Sequence, residues 1–369
     1  MSDGINDLAT LRPAAGRPRT DRVAGGVTAF GPSLVDLSAK LASADFRSWC
    51  NALGVGPGGW LALPDWARVN ALIRLLARAP IALGREFYAI TSSDAMVLSA
   101  GSSTLGTLSA MPERVRRRST YVSTLATRNS ALDPFSTYFA TAVRELRLSH
   151  LHRVVPGHNP VSFVIYESAT PDQVLATYAG VATESVPMLD HVTRPELVLL
   201  DTCELLAGAC SVDLHDLIVA GQVPVGLSLG NAGILTGEVR NRLRGYLEDG
   251  RLEMVFGNSA EYRMLYPELP PAMASLAGFR EHPVCRDVRF CLLTDGERGM
   301  AAHGYMEFAR VPANQLPPAE IVNTSGAGDT SAEVFAAGVL DEVELPTLLT
   351  RCAALASQVL RLPGSRIVG

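Results

Sequence analysis

The sequence predicts an α/β protein with a central, mostly parallel sheet and helices on both faces. Short apolar runs that suit buried strands recur along the chain and alternate with segments of helical periodicity. Several of these runs end at a glycine turn that leads into a helix, as in a βα unit. The chain has 369 residues, of which 47% are hydrophobic, enough for a large core and a small appended unit.

Charge and composition exclude several classes of protein. The net charge of -5 argues against a nucleic-acid binder, which would usually be basic. No apolar run reaches the roughly 18–20 residues of a membrane span, so we expect no membrane partner. Lys40 is the only lysine, which rules out a Gly-Lys-Ser/Thr phosphate loop. Any phosphate site must therefore use backbone amides and arginine.

The cysteines bear on metal binding and on the cellular compartment, and the N-terminal stretch suggests where the folded part begins. None of the 6 cysteines forms a C-x-x-C pair, so a zinc site has no support in the sequence. Because no secretory signal is present, we expect reduced cysteines and a cytoplasmic protein. Residues 1–26 are polar and arginine-containing and predict a flexible tail before a folded domain at 27–369.

The first strand is followed by a candidate ligand-binding acid. Val27 to Gly31 is an apolar run that predicts a buried strand, and a turn then leads to Asp36. Ligands of α/β sheets bind at the carboxyl ends of strands, so Asp36 is placed to contact one. A turn or capping residue is the alternative for this Asp. A Ser/Gly loop at 99–107 follows two predicted strands, and by itself it indicates only a turn.

The middle and end of the chain continue the alternation. Helices are predicted at 62–79, 133–148 and 345–361. Strands are predicted at 89–91, 96–98, 121–125, 160–166, 175–180, 197–201, 223–229, 252–257 and 289–294.

Asn258 and Glu261 open a predicted helix directly after a strand that ends at Gly257. At positions i and i+3 their side chains share one helix face. Such a glutamate can order a hydrated Mg²⁺, which keeps several waters and takes one or two protein oxygens. A capping box, with Asn as cap and Glu at N3, explains the same spacing.

The most informative stretch is the turn from Thr324 to Asp329. Ile321 and Val322 predict a strand end, and apolar residues from Thr330 onward follow a helical period. A glycine-rich turn at a helix start directs several backbone N–H groups at one point, and the helix dipole adds positive potential. Asp329 beside such a phosphate cradle suits a base that takes a proton from a hydroxyl. A plain Asp cap of a helix is the alternative.

The string N-T-S-G-A-G-D at 323–329 resembles the D-T-x-G-A-G-D signature of the ribokinase-like (PfkB) family of carbohydrate and purine kinases. Three further stretches resemble family motifs in the same order: 31–36, 257–261 and 294–299. The F-G-N-x-x-E string and the L-G-V-G-P-G-G run at 53–59 are most similar to the adenosine kinase branch.

The resemblance implies an ATP-dependent kinase that uses Mg²⁺ and phosphorylates a hydroxyl of a nucleoside or nucleoside-like small molecule. It implies Asp329 as the base, Asp36 as a grip on acceptor hydroxyls and Glu261 as the residue that orders the metal through water. The remaining site residues that it implies are the anion-hole residues Gly326, Ala327 and Gly328, the acceptor-side residues Gly101, Ser102, Leu105 and Glu333, and the ATP-side residues Asn258, Thr294, Gly296, Gly299, Ser325 and Cys352.

The same resemblance implies a small β lid over the acceptor, formed by segments within about 37–63, 85–98 and either 119–126 or 158–166. Several residues depart from the family pattern, and three of them bear on the metal or the acceptor. Asn323 replaces the leading Asp of the signature, Leu105 replaces an Asn that helps to hold substrate, and Glu333 stands where a glycine is expected. These departures indicate a divergent acceptor. A sugar kinase and a non-catalytic nucleotide- or metabolite-binding regulator remain as alternatives, and the protein is expected to be a monomer or a homodimer.

Overall fold

The structure is a computed structural model that describes most of the chain between residues 26 and 362. The described residues are 26–57, 59–77, 87, 91, 96–109, 111–170, 172–184, 195–202, 211–221, 223–230, 232–233, 235, 237–322, 324 and 326–362, without the side chains of 103, 183–184 and 211–214. The predicted tail up to residue 25, the greater part of the predicted strand at 89–91, and the site residues Asn323 and Ser325 lie outside them.

The described chain alternates strands and helices. In chain order the strands are β1 (Val27–Phe30), β2 (Val35–Leu41), β3 (Trp60–Ala62), β4 (Val97–Ala100), β5 (Thr120–Arg128), β6 (Ala131–Leu132), β7 (Ser149–Pro156), β8 (Val161–Glu167), β9 (Gln173–Tyr178), β10 (Leu197–Asp201), β11 (Val225–Ser228), β12 (Met254–Asn258), β13 (Phe290–Thr294), β14 (Met300–Gly304) and β15 (Glu307–Val311). The helices are α1 (Ser43–Leu53), α2 (Trp66–Ala77), α3 (Ser103–Ser109), α4 (Glu113–Arg116), α5 (Pro134–Glu145), α6 (Ser211–Ala220), α7 (Gly237–Glu248), α8 (Ser259–Leu265), α9 (Val284–Asp287), α10 (Ala327–Leu340) and α11 (Leu345–Val359).

A ten-stranded sheet forms the body of the molecule, in the order β15-β14-β13-β12-β11-β10-β1-β5-β6, with β7 also paired to β5. All pairings from β13 through β1 to β5 and β7 are parallel. The antiparallel pairs are those of β6, β14 and β15. Central strands such as β10 are buried along their whole length, as expected for a sheet that is covered on both faces.

Helices cover both faces of this sheet and divide the core in two. On one face, Leu105 of α3, Phe335 of α10 and Leu349 of α11 belong to one buried apolar cluster. On the other face, Leu243 of α7 and Tyr262 of α8 belong to a second. The predicted α/β class, with a mostly parallel sheet between helical layers, is confirmed.

A separate five-stranded sheet, called the lid below, has the order β3-β9-β8-β2-β4. Its strands come from residues 35–41, 60–62, 97–100, 161–167 and 173–178. Of the two alternatives for the third lid segment, 158–166 contains β8 of the lid, whereas 119–126 falls on β5 of the large sheet. The chain therefore crosses from the large sheet to the lid after β1 and again after β7.

A buried polar network joins these two crossings. Asn159 is fully buried, and its Nδ2 donates to the carbonyl oxygen of Ser33 at 2.5 Å. Its Oδ1 accepts from Ser33 Oγ at 2.9 Å and from Ser136 Oγ at 2.7 Å. Because a buried amide is costly to leave unpaired, these bonds fix the two crossings together and set the angle of the lid.

Two local predictions are wrong. Ile321 and Val322 form no strand: Val322 N–H donates to the carbonyl oxygen of Leu360 at the end of α11 instead of to a sheet neighbour. Asp36 follows the predicted turn but lies inside β2, which pairs with both β4 and β8, so the alternative of a turn or capping residue is wrong. Both errors arise because pairing with a distant strand, and not the local pattern, decides where a strand forms.

Candidate active site

The amino-terminal end of α10 is an open, uncapped helix start. Gly326 is the N-cap residue in the left-handed conformation, with φ 83°, and no described side chain caps the helix. A Cβ placed on Gly328 would find no atom of a described residue within 4 Å. The first N–H groups of a helix have no partner within the helix, and a helix start without a capping side chain suits an anion.

Asp329 lies in this first turn and is partly exposed. It packs against α3, where a Cβ added at Gly106 would lie 3.2 Å from the Asp329 Cβ. Gly106 is therefore the residue that lets the carboxylate-bearing turn of α10 approach α3 closely. A Cβ added at Gly106 would also lie 3.7 Å from Asp329 Oδ2, so the carboxylate lies beside α3.

Asn258 and Glu261 form the complete capping box that the sequence allowed. Asn258 Oδ1 accepts from the N–H groups of Ala260 and Glu261, at 2.9 and 3.0 Å. In return, Glu261 accepts from the Asn258 backbone N–H and from its Nδ2, both at 2.8 Å. Burial of the carboxyl, reinforced by the negative charge of Asp329, raises the pKa of Glu261 to about 7. Glu261 and Asp329 are thus near enough to repel each other.

This pair of acids bears on whether the residues fit Mg²⁺. In the described part of the chain no group of three or more His, Cys, Asp or Glu side chains could hold a metal directly. Both oxygens of Glu261 already accept one hydrogen bond each, which leaves further acceptor capacity for a metal-bound water. The arrangement therefore fits a hydrated ion held mainly by phosphates, with Glu261 as an outer contact.

Asp36 and Gly101 meet at the base of the lid. A Cβ added at Gly101 would lie 2.7 Å from Asp36 Oδ1, so the turn after β4 needs a glycine there. The next residue, Ser102, has a φ of 88°, which is strained for a residue with a side chain. The sequence analysis placed these three residues on the acceptor side, and the structure brings them together.

A chain of hydroxyl groups holds Ser102 in that conformation. Tyr121 Oη donates to Ser102 Oγ at 3.0 Å, and Ser102 Oγ pairs with Thr104 Oγ1 at the same distance. Thr104 Oγ1 in turn donates to the Phe30 carbonyl oxygen at 2.9 Å. All three hydroxyls would lie within 2.4–2.5 Å of a Cβ on Gly31, so only glycine fits the end of β1. Sequence analysis missed Tyr121 and Thr104, because each lies in an ordinary strand or helix pattern.

Four of the predicted ATP-side residues lie at or just after the ends of β12 and β13: Asn258, Thr294, Gly296 and Gly299. Thr294 pairs with Asn258 in register, and its Oγ1 is 3.5 Å from the Gly257 carbonyl oxygen. Gly296 and Gly299 both have positive φ, 56° and 110°, in the turn that follows. Gly299 is packed so tightly that a Cβ added there would lie 2.2 Å from the Val311 carbonyl oxygen.

An ion pair stabilises this turn. Arg298 Nε and Nη2 each donate to Asp295 at 2.7 Å, and Ser259 Oγ donates to the same carboxylate at 2.5 Å. The hydrogen bond from Arg298 is the main reason why the pKa of Asp295 is held below its usual value. This ion pair fixes Arg298 against the turn at 295–299, and its Nη1 donates no hydrogen bond to Asp295.

Three predicted site residues are buried in the core. Leu105 is 0% exposed and packs inside the apolar cluster under α3. Cys352 is equally buried, its thiol donates to the Ser331 carbonyl oxygen at 3.4 Å, and burial raises the pKa of that thiol. Glu333 is also 0% exposed, so it is not a solvated surface acid.

Asp201 is a buried acid that the sequence analysis did not single out as functional. It ends β10 at the carboxyl edge of the sheet, is 4% exposed, and lies between β1 and β11. Leu197 and Leu199 belong to the same apolar cluster as α3 and α10, so alternation places Asp201 on the Asp329 face. In the sequence, the available signal was an acid directly after the four apolar residues 197–200.

None of the described helices combines the length and the apolar character that crossing a membrane would require.

The fold is similar to that of solved adenosine kinases and of a ribokinase. Residues 252–368 match the family model described as pfkB family carbohydrate kinase. The resemblance to ribokinase-like kinases is confirmed. No curated protein sequence matches the chain.

Solved structures extend the similarity of fold to nearly the whole chain. The adenosine kinase from Sinorhizobium meliloti superposes with a TM-score of 0.72 at 18% identity, over 94% of this chain and 96% of that one. A probable sugar kinase from Rhizobium etli CFN 42 gives 0.71 at 16% identity, over 93% and 94%. The Anopheles gambiae adenosine kinase in complex with P1,P4-di(adenosine-5) tetraphosphate gives 0.71 at 13% identity, over 92% and 97%.

Proposed function

We propose that this protein is an ATP-dependent kinase that transfers the γ-phosphoryl group to a hydroxyl of a nucleoside or nucleoside-like small molecule. The observation that carries the proposal is the position of Asp329. Its carboxylate belongs to the first turn of α10, which begins at Gly326 with no capping side chain among the described residues. A proton acceptor and an anion cradle on one helix turn are the two groups that in-line phosphoryl transfer needs.

In this reaction Asp329 accepts a hydrogen bond, and then the proton, from the acceptor hydroxyl. The backbone N–H groups of Gly326, Ala327 and Gly328 donate to the phosphoryl oxygens, on which negative charge spreads in the transition state. Asp36, next to Gly101 and Ser102, binds other hydroxyls of the acceptor and so fixes the direction of attack.

The ATP phosphates would lie along the ends of β12 and β13. There Asn258, Thr294, Gly296 and Gly299 present backbone and small polar groups at one edge of the sheet. Mg²⁺ bound to the phosphates would shield their charge, with Glu261 holding it through water. The residues of the protein orient the two substrates, and the N–H groups at the start of α10 stabilise the negative charge on the phosphoryl oxygens.

A specific feature of the lid favours a nucleoside-like acceptor over a free sugar. Val97, Val164 and Leu175 lie in one register row on the lid face that carries Asp36. An acceptor made only of hydroxylated carbons would gain little from these side chains, whereas a flat ring gains apolar contact area. A sugar kinase of the same fold is the second candidate, since a probable sugar kinase shares the fold.

The test is the Asp329→Asn variant in an ADP-formation assay with MgATP and a panel of nucleosides and sugars. Loss of the base is expected to lower kcat by about 10²–10⁴-fold, while ATP still protects the variant against thermal unfolding. Asp341→Asn, just past the other end of the same helix, is the matched control and should keep full activity. Full activity of Asp329→Asn would contradict the mechanism, and transfer to sugars alone would contradict the acceptor class.

A further inference from the structure

Strand β7 lies at one edge of the large sheet and carries two histidines on one face. Among the described strands, β7 pairs only with β5. His150 and His152 are two residues apart, and side chains alternate along a strand, so both lie on the same side of the sheet. In register they are opposite Tyr121 and Ser123 of β5. This side is covered by α5, since the His150 and Phe139 ring centroids are 6.0 Å apart.

The two imidazole rings have the separation that a shared metal ion requires. Their centroids are 4.7 Å apart, with an angle of 43° between the ring planes. Zn²⁺ lies about 2.0–2.1 Å from a histidine nitrogen, and therefore roughly 3.2 Å from the ring centre. Two rings on one ion, at an N–Zn–N angle of about 90–110°, would have centroids roughly 4.5–5.2 Å apart. The observed separation falls within that range.

His150 is prepared to act as a neutral ligand. Its Nε2 is 2.9 Å from Ser123 Oγ. When Nε2–H donates to this hydroxyl, the lone pair is fixed on Nδ1, and metal-binding histidines are commonly held in one tautomer in this way. Burial, and to a lesser extent the charge of His152, lowers the pKa of His150 to about 4. The ring is therefore neutral at pH 7, as a metal ligand must be.

His152 gives an ion access to this pair. Its side chain is exposed, as is the following Arg153, so the pair can be reached from solvent. In the described part of the chain no third His, Cys, Asp or Glu joins two others around a metal position, which leaves two of the four Zn²⁺ positions to water. Imidazole nitrogens suit Zn²⁺ and related transition metals, whereas Mg²⁺ and Ca²⁺ prefer oxygen ligands.

The pair is far from the glutamate that was assigned to hydrated Mg²⁺. In the order of the large sheet, four strands lie between β7 and β12: β5, β1, β10 and β11. Glu261 follows β12. At about 4.8 Å per strand spacing, β7 and β12 are roughly 24 Å apart. An ion on the two histidines is therefore not the ion that would shield the phosphates of ATP.

We propose that His150 and His152 form a Zn²⁺ site at this edge of the large sheet. His150 binds the ion through Nδ1 and keeps its Nε2–H on Ser123 Oγ, and His152 supplies the second nitrogen. Water fills the remaining positions. Ser123 touches no metal and is a positioning residue for His150. The site does not depend on the proposed kinase function.

The experiment titrates Zn²⁺ into the full chain by calorimetry. The protein carries no affinity tag, because a histidine tag would bind the same ion, and excess Mg²⁺ occupies sites that prefer oxygen ligands. The variants are His152→Ala, Ser123→Ala and the conservative Ser123→Thr. His303→Ala is the matched control, because His303 is a partly buried histidine on another strand, β14.

The wild type is expected to bind one more Zn²⁺ per chain than His152→Ala does. Comparing the two proteins removes any Zn²⁺ that binds elsewhere in the chain. Ser123→Ala should keep the site but raise its Kd by about 10–100-fold, the usual effect of losing the group that orients a histidine ligand. Ser123→Thr should restore the wild-type Kd, and His303→Ala should bind as the wild type does.

Equal Zn²⁺ binding by the wild type and His152→Ala refutes the proposal, and so does an equal loss in His303→Ala. A wild-type Kd in Ser123→Ala overturns the positioning role of Ser123. Thermal unfolding provides a second measurement on the same proteins. The Tm of the wild type should rise with Zn²⁺, and by more than that of His152→Ala, but not with Ca²⁺. An equal rise in both proteins, or no rise in the wild type, contradicts the site.

Discussion

Replacement of the buried Glu261 by Gln provides the sharpest test of the electrostatics at this site. Burial and the neighbouring Asp329 raise the pKa of this carboxyl from 4.5 to about 7. The folded state therefore binds a proton more tightly than the unfolded state does. Free energy of unfolding is then lost as the pH rises from about 4.5 through 7, because the charged form must be kept buried.

The size of the effect follows from the pKa difference. Each pKa unit corresponds to about 1.4 kcal/mol, so this group lowers the wild-type unfolding free energy by about 2–3 kcal/mol between pH 5 and pH 8. Glu261→Gln has no charge to bury and lacks this loss. Its amide also meets Asn258 Nδ2 donor to donor, which costs about 1 kcal/mol at either pH. From pH 5 to pH 8, the unfolding free energy of the variant minus that of the wild type should therefore rise by about 2–3 kcal/mol.

The assay is urea unfolding of wild type and variant at pH 5 and pH 8. Taking the difference between the two proteins removes the contribution of the buried His150 and His282. Burial lowers the pKa of both to about 4, so they change stability in the opposite direction with pH. Glu281→Gln, an exposed glutamate, is the control and should show no such change. A pH-independent difference for Glu261→Gln would refute the reasoning that burial governs this carboxyl.

Two further predictions concern positions that set the geometry of the site. Gly106→Ala places a Cβ 3.2 Å from the Asp329 Cβ and should lower kcat by about tenfold or more, because the base is displaced. Gly245→Ala on α7 is the control, because a Cβ added there would have no atom within 4 Å. It should raise the thermal stability slightly and leave kcat unchanged. Equal kcat in the two variants would contradict the prediction. Asn159→Leu should cost about 2–4 kcal/mol of unfolding free energy, since it leaves the buried partners of the amide unpaired. Urea unfolding measures that loss, and a loss no larger than for the exposed Asn241→Leu would count against the network that joins the two crossings.

Local sequence patterns predicted much of the fold. Continuous apolar runs such as 197–201 identified central strands, because a strand that is buried on both faces must be apolar throughout. The glycine turn at 324–329 identified the start of α10, since its conformation depends on the turn residues themselves. The spacing of Asn258 and Glu261 indicated a capping box, which forms within a single helix turn.

Other features depended on pairing between distant segments. The lid assembles strands from five separate parts of the chain, and Asp36 belongs to one of them only because β4 and β8 lie on either side. The hydroxyl chain from Tyr121 to Ser102 joins β5 to the turn before α3. No local period marks such contacts, because the residues are adjacent in space and not in sequence.

The sequence by itself determined the class of fold, the glycine turn that begins α10 and the identity of the carboxylate in its first turn. These depend on hydrophobic periodicity and on the backbone freedom of glycine, both of which act over a few residues. Only the tertiary structure decided which side chains flank Asp36 and that Glu333 and Leu105 are buried. It also decided that Glu261 is buried, with Asp329 nearby, so that its pKa rises to about 7. Burial and charge–charge interaction depend on which distant segments come together, and that is fixed when the two sheets and their helices pack.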